Sequence, residues 1–312
     1  MGEQDVRPTK FTNWISFSLN PFTGALLIFV AAICFSAKAV MIKLAFRYQI
    51  DPLSLLFLRM VFSLPFFVVI PLIFNKNQPA VTLTSADFGR VALLGVLGYY
   101  AASLLDFLGL QYVTAGLERL ILFVYPTLVV VLSFLFFGKS IGRREIVALA
   151  LTYLGILVVF LNDDLLAQRN VLLGSLLIFA SAFTYAVYLV GSGRLIPRFG
   201  AVRFTAYAMT VACLAVMLHY LLARTTSIFG FPRPVYGLAL AIAIFSTVIP
   251  TFMVSKGVQL IGASRASIIA SVGPVSTIAL GFFVLGEVVT GYEIFGTALV
   301  LTGVLLVSRG KG

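Results

Sequence analysis

The sequence has little charge, almost no cysteine and a single histidine. Charged residues make up 11% of its 312 positions and hydrophobic ones 61%, where soluble domains run near 25% and 45–50%. That deficit excludes the pair of water-soluble domains of about 150 residues that length alone suggests. The two cysteines, Cys34 and Cys213, both sit inside apolar runs, so there is no disulfide framework. With His219 as the only histidine, no Cys/His set exists to ligate a metal, and the thiols read as small packing residues. Acidic residues are few, 11 against 22 Lys and Arg, giving a net charge of +11. The basic residues fall between apolar blocks and form no continuous stripe, which fits membrane topology and anionic lipid rather than nucleic acid. No catalytic residue, cofactor or metal is expected.

What the chain has in abundance is long apolar blocks, in line with a mean hydropathy of +1.08. A helix needs about 20 mainly apolar residues to cross a bilayer core about 30 Å thick. In lipid the backbone N–H and C=O groups must be satisfied within the chain, so these blocks are predicted to be helices. Breakers at Asp51-Pro52, Asn75 to Pro79, Gly138 to Arg144, Asn162 to Asn170, Pro197 to Gly200 and Phe231 to Pro234 divide them. The reading is ten spans near 21–46, 53–74, 87–110, 114–137, 145–161, 171–195, 202–223, 235–260, 264–285 and 291–308. The first block is too long for a signal peptide and carries Lys38 and Lys43, so it reads as a retained span. Residues 1–20 form a polar, mixed-charge arm. Lys and Arg concentrate on the face that holds the N-terminus, alternate loops and the C-terminus, so both termini are expected in the cytoplasm of an inner (plasma) membrane protein.

The chain also repeats itself. Shifted by 148 residues, Gln111, Ala115, Pro126, Gly138, Glu145, Ala150, Leu151 and Gly155 fall on Gln259, Ala263, Pro274, Gly286, Glu293, Ala298, Leu299 and Gly303. About fifteen positions between 109 and 160 are identical under this shift. At a shift of 150, Gly24 to Phe29 matches Gly174 to Phe179. Matched Pro, Gly, Gln and Glu are harder to ascribe to chance than matched apolar residues. The expectation is an all-α integral membrane protein of ten transmembrane helices in two five-helix repeats, 21–161 and 171–308, after the arm 1–20. An odd number of crossings leaves the second copy inverted relative to the first. Inverted repeats are a transporter architecture, with substrate bound near the midplane between the halves.

Ala263-Ser264 through Pro274, then Gly286-Glu287 and Gly303, resembles the C-terminal half of EamA-type permeases of the drug/metabolite transporter superfamily. The resemblance extends over the whole chain as ten spans in two repeats; Lys139 departs from it, standing where the second copy has Glu287. It implies export or exchange of small metabolites, amino acids and related compounds prominent among them, without fixing the substrate.

Ionisable residues inside spans are costly and are functional candidates by default. Lys38 lies about 21 Å along its helix from Gly24. It reads either as a cationic anchor for a substrate carboxylate or as a lysine reaching the outer interface or a neighbouring helix. Arg59, Asp106, Glu118 and Arg119 lie at comparable depth and read as an outer gate or as a structural ion-pair network. Tyr99, Tyr100, Tyr185 and Tyr188 pair an apolar ring with a hydroxyl, which suits a pocket for amphipathic metabolites; the alternative is interfacial anchoring. Ser271 adds a small polar group that serves binding or tight packing. Pro126 and Pro274 remove a backbone donor each and are expected to kink equivalent helices around a central cavity. Glu287 is expected to brace the turn into the last span.

The functional expectation is a secondary transporter of small metabolites working by alternating access, with membrane lipid and a small-molecule substrate as partners and a single copy as the unit. An intramembrane enzyme lacks a nucleophile–base pair or metal set. A lipid or precursor flippase, a non-transport subunit and a channel share the architecture and stay as rival readings.

Overall fold

The computed structural model describes residues 21–74, 84–138, 141–162, 169–223, 227–261, 266, 269–270 and 272–309. The arm 1–20 and Ser271 lie outside the described residues. The elements are α1 (Pro21–Phe46), α2 (Pro52–Phe74), α3 (Ser85–Gly109), α4 (Ala115–Phe137), α5 (Arg143–Val159), α6 (Val171–Phe199), α7 (Ala201–Ala223), α8 (233–261), α9 (Val272–Leu285) and α10 (Gly291–Arg309). Among the described residues there is no strand. Seven helices, α1 to α4 and α6 to α8, are long and apolar enough to cross a bilayer; α5 has 17 residues, and α9 and α10 hold shorter apolar stretches. Leu135, Phe136, Leu176, Leu221 and Phe283 point outward, each with two-thirds or more of its surface uncovered. In water such a surface would be an association site; in lipid it is the solvent-facing side.

Local sequence sets the helix ends. Asp51 accepts the backbone N–H of Ser54 and Pro52 supplies the fixed φ that a first helical residue needs, so α2 begins there. Thr84 and Asp87 form a reciprocal capping box on α3, and the Asp87 carboxylate also takes both terminal nitrogens of Arg198 at the end of α6. Thr114 caps α4. Gly138 and Gly286, repeat equivalents, both adopt left-handed φ (63° and 73°) that a side chain would strain. α4 breaks into a turn at Phe123–Val124, just ahead of Pro126, whose missing N–H cannot extend the hydrogen-bond ladder. Pro274 sits in the first turn of the described part of α9. Three described helices carry wide π turns, Val96–Ala101 in α3, Ile244–Val248 in α8 and Gly281–Leu285 in α9, and the first residues of the first two are again 148 apart.

The packing between the two halves interchanges under the repeat shift. A Cβ on Gly24 in α1 would lie 2.6 Å from Ile261 and 2.8 Å from Leu260 in α8. A Cβ on Gly174 in α6 would lie 2.7 Å from Tyr112 and 2.8 Å from Val113, just past the end of α3. These are the same contacts with the copies swapped. Gly257 against Ile28 and Gly109 against Ile178 repeat the exchange. α5 and α10 pack antiparallel at backbone distance: Gly155 meets Gly296 and Val300, while Gly303 meets Ala148 and Thr152. Here too each contact maps onto the other. Without water to drive helices together in a bilayer, such small-residue seams supply association through close van der Waals approach.

Candidate functional site

The ionisable residues of α1 to α4 converge inside the bundle. Lys38 Nζ lies 2.6 Å from Asp106 Oδ2 and 3.4 Å from Glu118 Oε1. The three side chains are 14%, 3% and 0% exposed, so one ammonium serves two enclosed carboxylates. Asp106 Oδ1 and both oxygens of Glu118 have no hydrogen-bond donor among the described residues. Buried charges are retained only with a partner nearby, and here a single cation carries that load.

Arg59 is enclosed and forms no ion pair with a carboxylate among the described residues. Its Nε donates to Thr247 Oγ1 at 2.9 Å and its Nη1 to Ser103 Oγ at 3.3 Å, and the guanidinium lies 5.5 Å from the centre of the Phe107 ring. Thr247 belongs to the π turn of α8, so Arg59 ties the first copy to the wide turn of the second. Arg119 forms neither ion pair nor hydrogen bond with any described residue; its buried Nε has no acceptor, and its charge centre lies 5.7 Å from the Phe123 ring centre. The guanidinium occupies the space that a side chain at Gly273 would take, with Nη2 2.6 Å from the position of a Cβ there. Gly273 is the repeat equivalent of Tyr125.

An aromatic group adjoins Arg119. Tyr125 and Tyr185 meet edge to face at 5.3 Å, Tyr185 stacks on Tyr188 at 5.7 Å, and Tyr188 meets Tyr99 at 4.9 Å with hydroxyl oxygens 2.9 Å apart. Tyr188 also stacks on Phe204 and lies over Gly98, where a Cβ would strike its ring. Tyr100 points away: its hydroxyl pairs with Nδ1 of His219 at 2.9 Å. The structure therefore brings Lys38, Asp106 and Glu118 together, places Tyr99, Tyr185 and Tyr188 in one group, and sends Tyr100 to α7.

Sequence reasoning did not single out Tyr125 as part of the aromatic group, nor Ser103, Thr247 and Gly273 as neighbours of the arginines. The Tyr125/Gly273 exchange at matched repeat positions was the available signal. Glu287 acts elsewhere than expected: both its carboxylate oxygens accept the N–H of Ala115 at the start of α4, and Lys43 lies 3.9 Å away while donating to the Val113 carbonyl.

Long apolar helices that enclose a charged and aromatic cluster define a multi-pass integral membrane protein with a polar site in its interior. Residues 22–161 and again 172–309 match the EamA-like transporter family, and the chain belongs to it. Among its relatives is the uncharacterized transporter YcbK of Bacillus subtilis, 32% identical over 289 residues, covering 90% of this chain and 92% of that one. The uncharacterized inner membrane transporter YicL of Salmonella typhimurium is 22% identical and covers 91% of this chain and 95% of that one. A solved crystal structure with 17% identity superimposes with a TM-score of 0.64 over 91% of this chain and 96% of that one, and so shares its fold.

Proposed function

We propose that this membrane transporter carries small organic metabolites, amino acids or related compounds foremost, by alternating access, in efflux or exchange. The halves 21–161 and 171–308 act as two inverted five-helix units, and the chain crosses the inner membrane ten times with both termini in the cytoplasm. The interchange of contacts under the repeat shift, with α5 antiparallel to its own equivalent α10, supports the inversion. A two-fold axis that pairs antiparallel helices lies across them, in the membrane plane, as in inverted-repeat carriers.

The observation that carries the reading is the enclosed charge cluster where helices of both copies meet. Lys38, Asp106, Glu118, Arg59 and Arg119 all belong to the first copy. Under the repeat, Lys38 falls on Tyr188, Glu118 on Ala266 and Arg119 on Ser267. The chemistry is thus asymmetric: the first copy supplies the charge, and both copies contribute to the aromatic wall, Tyr99 and Tyr125 from the first and Tyr185 and Tyr188 from the second. In this reading Lys38, Asp106 and Glu118 lock the outer end, Arg59 couples it to the wide turn of α8, and the tyrosines line the substrate path.

Counterflow in proteoliposomes tests it. Vesicles loaded with an unlabelled amino acid should transiently concentrate the labelled one above its external level, with saturation. Saturable flux absent across an amino-acid and organic-acid panel would remove the carrier reading in favour of a flippase or a non-transport subunit.

A further inference from the structure

We propose that Arg119 is the anion anchor of the transport site, and that the ligand it takes is a monocarboxylate whose apolar or aromatic body rests on Tyr125, Tyr185 and Tyr188. The inference rests on the carrier reading above and names the substrate chemistry of the same site. The enclosed site holds three cations, Lys38, Arg59 and Arg119. Lys38 is committed to both carboxylates. Arg59 donates to two neutral hydroxyls. Arg119 alone keeps its N–H donors unassigned among the described residues, and one of them, Nε, is buried without an acceptor. A buried guanidinium donor with no acceptor is expensive, and its planar fork matches a carboxylate.

The surroundings point the same way. Phe123 links Arg119 to the tyrosines: the guanidinium carbon lies 5.7 Å from its ring centre, and Phe123 meets Tyr125 edge to face at 6.0 Å, next to Tyr185. Both tyrosines keep part of their surface accessible. Two hydroxyl donors and one guanidinium beside a ring wall form a receptor for a carboxylate on an apolar body. The one guanidinium with an unassigned buried donor supplies a single charge, which a monoanion matches and a dianionic phosphate exceeds. Gly273 makes the arrangement possible, since any side chain there would displace the guanidinium.

The test uses the purified full-length protein in detergent and four probes with one ring and different heads: phenylacetate, phenylacetamide, phenethylamine and phenylphosphonate. Thermal melting against concentration should show phenylacetate stabilising the protein, with the amide roughly 10- to 100-fold weaker, as loss of a charge-assisted hydrogen bond implies. Arg119→Gln should abolish that preference and Arg119→Lys should keep part of it. Gly273→Ala should weaken phenylacetate while leaving the ligand-free melt in place, because the atom it meets is the free end of a flexible side chain. Equal binding of acid and amide, preference for the amine or the phosphonate, absence of binding by all four, or a carboxylate preference that survives Arg119→Gln would each overturn the assignment. Counterflow that persists while the preference survives Arg119→Gln would leave the carrier standing without this anchor; absent counterflow would remove the carrier itself.

Discussion

Replacing Lys38 with Met removes the one cation that two enclosed carboxylates share. Lys38 Nζ is 2.6 Å from Asp106 and 3.4 Å from Glu118, and the acceptors are 3% and 0% exposed. Charges 4 Å apart interact by about 4 kcal/mol at an effective dielectric near 20. Stripping one partner from a buried pair costs about 3–5 kcal/mol in practice, because the survivor stays desolvated. The arginines offset this only at longer range: Arg59 is held by Thr247 and Ser103, and neither arginine forms an ion pair with a described carboxylate. Lys38→Met is therefore expected to lower stability by about 3–5 kcal/mol in reversible detergent-to-SDS unfolding followed by circular dichroism. The triple variant Lys38→Met, Asp106→Asn, Glu118→Gln, which removes the lysine together with both carboxylates it serves, should recover part of the loss, since neutral replacement of a whole buried pair is often harmless while Arg59 and Arg119 keep their charge. A single variant within about 1 kcal/mol of the parent, the range of an exposed pair, would refute the reasoning, as would a triple variant no better than the single one.

Other perturbations follow from the packing and the caps. Gly296→Leu should destabilise by about 1–3 kcal/mol through overpacking, because its Cβ would sit 2.5 Å from the Gly155 carbonyl oxygen; Gly237→Leu, with nothing within 4 Å, is the control that should melt like the parent. Glu287→Gln should lose about 1 kcal/mol in the same unfolding assay, since it weakens the cap on Ala115 and the attraction to Lys43. Tyr99→Phe should cost about 1 kcal/mol by leaving the Tyr188 hydroxyl without its 2.9 Å partner; an unchanged melt would mean that the pair is not formed.

The helices were legible because each apolar block is bounded by Pro, Gly or Asx residues whose backbone preferences are local. The repeat was legible for the same reason: Gly138 and Gly286 adopt the same left-handed turn in both copies. The charged residues announced themselves by standing where charge is expensive. Their pairing did not, because Lys38 meets Asp106 and Glu118 across 68 and 80 positions of sequence, and only the docking of α1 against α3 and α4 brings them together. Tyr99 and Tyr100 looked interchangeable in the chain, yet neighbouring residues on a helix point about 100° apart. One therefore reaches α6 and the other α7. Glu287 was read as bracing its own turn, since nothing local reveals that the N-terminus of α4, with the Ala115 N–H to be satisfied, lies beside it.

The carrier account stands on the two copies running in opposite directions, and Arg143 and Gly291 report on it most directly. They are repeat equivalents, both exposed, at the first position of α5 and of α10. In a background with Cys34 and Cys213 replaced by Ala, a single cysteine at each site can be probed in intact cells and in inverted vesicles with a membrane-impermeant maleimide. The account expects labelling at position 143 only from the cytoplasmic face and at position 291 only from the outer face. Labelling of both from one face would contradict it.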